Sequence, residues 1–199
     1  MPPLIVLASS SPRRKEILAS LGLRFEARAA EVDESLLPAE SAFDAAERLA
    51  RAKVAAVREA AFGSTPDALV VAADTLVVLD GAALGKPRDR ADARRMLSTL
   101  AGRAHDVVTG VACARGGRVV SGRETTRVVF APMSQAEIVE YAETGEPDDK
   151  AGAYALQGIG GLFVERVEGS PSNVVGFPVR LLYRLASELG VDLARGVRP

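Results

Sequence analysis

The run from Ala68 to Leu79 constrains the fold of this chain more than any other stretch. Apolar residues fill both of its alternating faces, and Asp74 is its one charge. A strand that reads as continuous Val, Ala and Leu is a buried one. The run also falls well short of the ~20 residues needed to span a bilayer. Helical and strand periodicities alternate along the rest of the chain, which predicts an α/β fold. Hydrophobic residues make up 48% and charged residues 26% of the 199 positions. Such a composition excludes disorder, collagen-like repeats and coiled coil. A chain of this length can bury roughly 70% of its unfolded surface, enough to fold without disulfides or structural metals.

Local signals place the elements. A strand at Leu4–Ala8 is followed by Ser11 as N-cap with Pro12 in the first helical position, and Gly22 closes that helix. A second strand at Arg24–Ala30 leads to an acidic loop, Glu31-Val32-Asp33-Glu34. Ser41 with Asp44 then opens a long helix that ends at Gly63. After the buried strand come an Asp80-Gly81 hairpin turn and a helix at Arg90–Leu100 stopped by Gly102. Strands at Ala104–Ala114 and Arg118–Phe130 flank Gly116-Gly117. A helix at Ser134–Glu143, a loop rich in Gly, Asp and Lys, a strand at Phe163–Val167 and a helix from Pro178 complete the chain. The two hairpins demand antiparallel neighbours, so the sheet is expected to be mixed. No repeat, low-complexity tract or linker interrupts it, and one domain over residues 1–199 is expected.

Charge and cysteine content remove several classes. Lys and Arg number 25 against 26 Asp and Glu, a net charge of −1, so the global basic field of a nucleic-acid binder is missing. Cys113 is the single cysteine and cannot form an intrachain bridge, which fits a reducing compartment. The apolar stretch near the start is followed, not preceded, by Arg13, Arg14 and Lys15, unlike a signal peptide. A cytoplasmic protein with no membrane or nucleic-acid partner is expected.

Several residues can carry chemistry. Ser9-Ser10-Ser11-Pro12-Arg13-Arg14 joins a strand to a helix start, where N–H groups, hydroxyls and guanidiniums suit a phosphate; a capped turn with solvated arginines is the plain alternative. Gly81 to Pro87 is no Walker loop, being one residue short with Pro in the metal-binding position. Gly158-Ile159-Gly160-Gly161 lacks the third glycine of a dinucleotide fingerprint. Asp74, inside its apolar strand, must be paired, bound to metal or satisfied by backbone amides. Lys53 is the only charge on the helix face made by Ala46, Leu49, Ala50, Val54 and Val57. It either snorkels past the core edge or turns inward to meet phosphate or a carboxylate. If it turns inward as a functional charge, Lys53→Met is expected to leave stability unchanged or raised while activity falls sharply. Glu34 is a metal ligand or a surface charge, and Lys86 is a constrained cation between Gly85 and Pro87. His105 is the only histidine and no Gly-x-Ser-x-Gly elbow exists, which disfavours an esterase or phosphatase built on a serine triad. The segment Asp149 to Gly158 is polar, tightly turned and aromatic, as ligand-binding loops are.

Taken together, these segments resemble the Maf family of nucleoside triphosphate pyrophosphatases nearly end to end. The residues that carry the likeness are Leu7 to Arg14, Asp33-Glu34, Ala73-Asp74-Thr75, Gly85-Lys86-Pro87-Arg88-Asp89, His105 to Val111, Asp149 to Gly158 and Val174 to Pro178. The resemblance implies an elongated mixed sheet flanked by helices, two lobes with a central cleft as in inosine triphosphate pyrophosphatases, a homodimer and a divalent metal. It assigns the proton acceptor to Asp74 and substrate choice to Arg13, Thr75 and Gln157. Asp149-Lys150-Ala151-Gly152-Ala153-Tyr154 followed by Gln157-Gly158 looks like the branch acting on dTTP and UTP, not the one acting on 7-methyl-GTP. Ala155 stands where Gly is common, and Ser170-Pro171-Ser172 replaces a usual aromatic.

The expected reaction is attack of water on the α-phosphorus of dTTP, UTP or a modified pyrimidine nucleotide, a housecleaning role in the nucleotide pool. Glu34 and Asp74 would hold Mg²⁺ or Mn²⁺. Asp74, Lys53 and Glu34 would be catalytic, and Ser9, Ser11, Arg13, Arg14, Thr75, Lys86 and Gln157 would bind substrate. The alternatives are a non-catalytic nucleotide sensor regulating division or septum formation, and a 7-methyl-GTP pyrophosphatase.

Overall fold

The computed structural model describes residues 3–196. It contains strands β1 (Ile5–Leu7), β2 (Phe25–Ala27), β3 (Leu69–Leu79), β4 (Ala82–Leu84), β5 (Ala104–Arg115), β6 (Arg118–Phe130) and β7 (Val164–Glu168). The helices are α1 (Pro12–Ser20), α2 (Ala42–Ser64), α3 (Arg90–Leu100), α4 (Gln135–Glu143), α5 (Pro171–Val174) and α6 (Val179–Glu188). Short 3₁₀ turns cover Glu146–Asp149, Ala151–Ala153, Ile159–Phe163 and Leu193–Gly196. The strands form one sheet in the order β2-β1-β3-β5-β6-β7, with β4 paired to β3. Pairing of β1 with β2 and β3 is parallel, while β3–β4 and β6–β7 are antiparallel. The fold is therefore mixed α/β, a seven-stranded sheet with helices packed on it.

Internal contacts divide the chain into two units. Among the described residues, the first comprises 3–74, 109–124 and 176–196, and the second 75–108 and 125–175. In the first unit, alternation along β1 and β3 sorts side chains to opposite faces. Ile5, Leu7, Leu69, Val71 and Ala73 pack with Leu18 of α1 and Leu181, Leu182 and Leu185 of α6. Val6, Ala8, Val70 and Ala72 pack with Ala50, Val54, Val57 and Ala61 of α2. Both faces of the apolar run are thus buried, at roughly 1.5–3 kcal/mol for each large aliphatic side chain. The second unit has its own core, where Val77 and Leu79 meet Leu97 and Leu100 of α3 and Ile138 and Tyr141 of α4.

Element ends follow local chemistry. Ser41 accepts the Asp44 N–H to start α2, Asp89 caps α3 through Asp92 N, and Ser134 forms a capping box with Glu137. Asp80 and Gly81 take positive φ, as the tight hairpin between β3 and β4 requires. β2 is shorter than its pattern suggests, three residues at the sheet edge with Glu26 and Ala27 exposed. The long turn region after α4 contains 3₁₀ turns too short to show a readable periodicity; amides such as Asp148, Lys150 and Ala153 bond carbonyls within the turns, and those of Ile159 and Gly160 bond the Glu146 carboxylate.

Candidate functional site

The first unit gathers most of the polar residues singled out in the sequence. Asp74 shares the parity of Val70 and Ala72, and its carboxylate therefore faces α2. Lys53 is buried on that helix among Leu49, Ala50, Val54 and Val57. Its ammonium lies 2.5 Å from Asp74 Oδ1 and 2.6 Å from Glu34 Oε1. Lys53 and Asp74 are 7% and 6% exposed, whereas Glu34 reaches in from the exposed acidic loop. Of the two readings open to Lys53, the inward one holds. Burial raises the Asp74 carboxyl above its usual range, and Lys53 and then Arg14 pull against that rise. A carboxylate with a raised pKa is a stronger proton acceptor.

The β1–α1 junction borders the same group. Ser9 is buried, and its hydroxyl accepts from Ser11 N at 3.2 Å and from Arg14 Nη1 at 3.2 Å. Arg14 also donates through Nε to the Gly176 carbonyl at 3.0 Å. Burial lowers its pKa, while the fields of Asp74 and Glu34 oppose the change and that of Arg13 adds to it. Arg13, Arg14, Glu34, Lys53 and Asp74 thus form one cluster of alternating charge. Ser11 caps α1 by its backbone position alone, with no hydrogen bond from its side chain and no acid in the first turn. The positive end of the helix dipole is left without a carboxylate there.

Close approach of α2 makes the cluster possible. A Cβ on Gly110 of β5 would fall 2.5 Å from Glu47 Cα and even nearer the Ala46 carbonyl, so only glycine lets the helix lie this near the sheet. Among the described residues no three His, Cys, Asp or Glu converge as a metal cage. Glu34 and Asp74 both aim oxygens at the Lys53 ammonium, and carboxylates are the donor type that Mg²⁺ and Mn²⁺ take, one or two at a time with waters and substrate phosphates completing the shell.

In the second unit, Thr75 follows Asp74 directly on β3 and is half-buried. Lys86 is exposed, and the carbonyl of its neighbour Gly85 accepts from Gly152 N at 3.0 Å, tying the Lys86 turn to the 150–153 segment. Gln157 is exposed within a turn whose backbone is held by Glu146. Oε1 of Glu146 accepts from Tyr141 OH at 2.8 Å and Gly160 N at 2.9 Å, and Oε2 accepts from Ile159 N at 3.0 Å. Tyr141 OH in turn accepts from Ala155 N at 3.1 Å. Glu146 escaped the sequence reading because a carboxylate aimed at backbone amides has no spacing signature. Its only signal is an acid set between turn residues, Gly145 and Pro147. His105 is in the core, its Nε2 2.9 Å from Tyr154 OH and its ring edge-on to Phe130. Burial presses its pKa down to about 4, so it is neutral at pH 7 and engaged with Tyr154.

The profile of Maf-like proteins matches residues 4–189 of this chain. The chain belongs to the Maf family. Relatives within the family cover it almost completely. A dTTP/UTP pyrophosphatase of Anaeromyxobacter dehalogenans (strain 2CP-1) is 52% identical over 198 residues, 97% of each chain. One from Chromobacterium violaceum is 47% identical over 190 residues, 95% of this chain and 96% of its own. One from Myxococcus xanthus is 49% identical over 190 residues, 96% and 94% respectively. Among solved structures, the Staphylococcus aureus Ham1 protein aligns over 98% of this chain and 93% of its own with 14% identity and a TM-score of 0.43. No helix among the described residues is long and apolar enough to cross a membrane.

Proposed function

We propose that this protein hydrolyses dTTP and UTP, and related pyrimidine nucleoside triphosphates, to the monophosphate and pyrophosphate. Family membership and the activity named for its relatives support nucleoside triphosphate hydrolysis. The observation that carries the mechanism is the Lys53 ammonium held between Glu34 and the buried Asp74, with Arg14 and Arg13 in the same electrostatic group. Hydrolysis of a phosphoanhydride needs a positioned water, an acceptor for its proton and cations for the developing charge.

Asp74 is the acceptor in this reading. Its raised pKa suits it to take the proton as the water oxygen bonds to the α-phosphorus and the bond from that phosphorus to the bridging oxygen breaks. Lys53 keeps the carboxylate ionised in its buried setting and holds it in one orientation. Arg13, Arg14 and Lys86 bind phosphate oxygens, with the amides at the start of α1 and the Ser9 and Ser11 hydroxyls beside them in sequence. Thr75 and Gln157 are assigned to substrate recognition. The uracil or thymine edge offers an acceptor, a donor and an acceptor, and a fixed amide can donate to O4 while accepting from N3–H. Glu34 and Asp74 would hold a Mg²⁺ or Mn²⁺ ion, which when bound supplies charge neutralisation to the triphosphate.

A panel of nucleoside triphosphates with Mg²⁺ or Mn²⁺, assayed separately for pyrophosphate and orthophosphate, tests the reading. Pyrophosphate from dTTP and UTP, abolished by chelation, is expected; stepwise release of single phosphates sinks it. The same preparation run with light scattering checks the homodimer that we attach to this proposal.

A further inference from the structure

Gln157 is the proposed reader of the base, yet it is an exposed side chain on a turn. An amide that can flip or drift reads cytosine as well as uracil, since cytosine inverts both the donor and the acceptor that the amide meets. Selectivity therefore needs something that fixes the backbone from which Gln157 extends. Tyr154 does not supply it, because its hydroxyl is buried and engaged with His105.

Glu146 does. Three of the hydrogen bonds that define this turn end on its one carboxylate, from the Tyr141 hydroxyl and from the amides of Ile159 and Gly160. Tyr141, buried in the core of the second unit, passes the restraint to the other side of the turn by accepting from Ala155 N. Gln157 lies between the two anchored ends. The packing is close: a Cβ on Gly158 would fall 2.8 Å from Glu146 Cδ, and one on Gly160 would fall 2.6 Å from the Ala155 carbonyl. Gly158 also has φ of +145°, a conformation open to glycine and strained for other residues. The turn is built around an ionised acceptor. Burial pushes the Glu146 carboxyl upward, but the Gly160 amide, the Tyr141 hydroxyl and the Ile159 amide outweigh it and keep the group below its usual range. A neutral amide in its place would turn an N–H toward a backbone N–H and leave one donor without an acceptor. Lys150 supports the arrangement from behind, its ammonium donating to the Glu146 carbonyl at 2.8 Å.

We propose that Glu146, acting with Tyr141, is a positioning residue that fixes the turn carrying Gln157 and thereby sets the preference for uracil and thymine over cytosine. The inference rests on the reading of Gln157 as the base-contacting residue. Its test compares wild type, Glu146→Gln, the milder Tyr141→Phe and a control, Glu143→Gln, which removes a carboxylate paired to Arg90 and Arg94 on the surface of α4. Pyrophosphate release is measured with UTP and with CTP. A displaced contact group costs on the order of tenfold or more, so the UTP-to-CTP ratio of kcat/KM should fall about tenfold in Glu146→Gln and less in Tyr141→Phe. The loss should sit mainly in KM for UTP, and the control should keep the wild-type ratio. Amide exchange at Ile159 and Gly160 in the protein without nucleotide should speed up by about tenfold in Glu146→Gln. An unchanged ratio, an equal fall in the control or unchanged exchange overturns the proposal. A wild type that releases no pyrophosphate from UTP overturns the functional reading, and the selectivity claim with it; a wild type that does so with an unchanged mutant ratio overturns this proposal alone.

Discussion

Lys53 Nζ sits 2.5 Å from Asp74 Oδ1 because a helix and a strand, each apolar on its facing side, carry one opposite charge apiece at the same level. Neither charge is tolerable there without the other, since an isolated ion in such a setting costs several kcal/mol. Glu34 adds a second carboxylate to the same ammonium from the exposed loop. Two acids and one base leave this trio a net negative charge, which the neighbouring Arg13 and Arg14 offset.

Asp74→Asn retains shape and removes the proton acceptor. Turnover of UTP should drop at least ~100-fold, the usual contribution of a general base, with the fold kept but the melting temperature lowered, because the buried Lys53 loses its charged partner. Steady-state kinetics at saturating metal decides it, and a variant keeping most of its turnover would place the acceptor elsewhere.

Lys53→Met carries a corrected expectation. An inward functional lysine on an apolar helix face predicts a neutral or stabilising change, but the structure shows the ammonium paired with a buried carboxylate. Its removal strands Asp74, and breaking a buried pair costs roughly 3–5 kcal/mol where Asp74 remains ionised. The folded-state pKa of Asp74 is already raised, so the folded protein binds the proton more readily than the unfolded chain. Stability on its account falls as pH rises above ~3.9 toward the folded value, and the variant should show this fall more steeply. Denaturant titrations at pH 5 and pH 8 measure it. Equal stability of variant and wild type at pH 8 would contradict the pairing.

Gly110→Ala tests the close approach of α2 to β5. The added methyl meets backbone, which cannot rotate away, so the cost should reach or exceed the roughly 1–3 kcal/mol of ordinary overpacking. Activity should fall along with stability, because the helix that shifts is the one holding Lys53. Thermal melts and UTP kinetics on one preparation check both; full activity with native stability would rule out the stated geometry.

His105 gives an acid-side prediction. Its folded pKa of about 4 lies below the ordinary value near 6.5, so the unfolded chain takes the proton first. The stability it contributes is present above ~6.5 and lost as pH falls toward about 4. At 1.36 kcal/mol per unit, the loss is on the order of 3 kcal/mol. His105→Gln should show a flatter decline between pH 6.5 and pH 4.5 in calorimetry, and parallel curves would mean that the imidazole is not what acid attacks.

Much of this molecule was legible in its amino-acid order. α3 occupies Arg90–Leu100 and β6 Arg118–Phe130, as their caps and glycines indicate, and Lys53 alone breaks an apolar helix face. Those features depend on φ/ψ preference, capping and periodicity, which act over a few residues. What Lys53 meets depends on something else. Asp74 faces α2 only because β3 is in register with β1 so that Val70 and Ala72 fall on that side, and only because Gly110 admits the helix. Glu146 joins residues far along the chain through backbone amides that have no side-chain signature. Partners of this kind are chosen by packing across the sheet and around the turn, where distance in space is unrelated to distance in sequence.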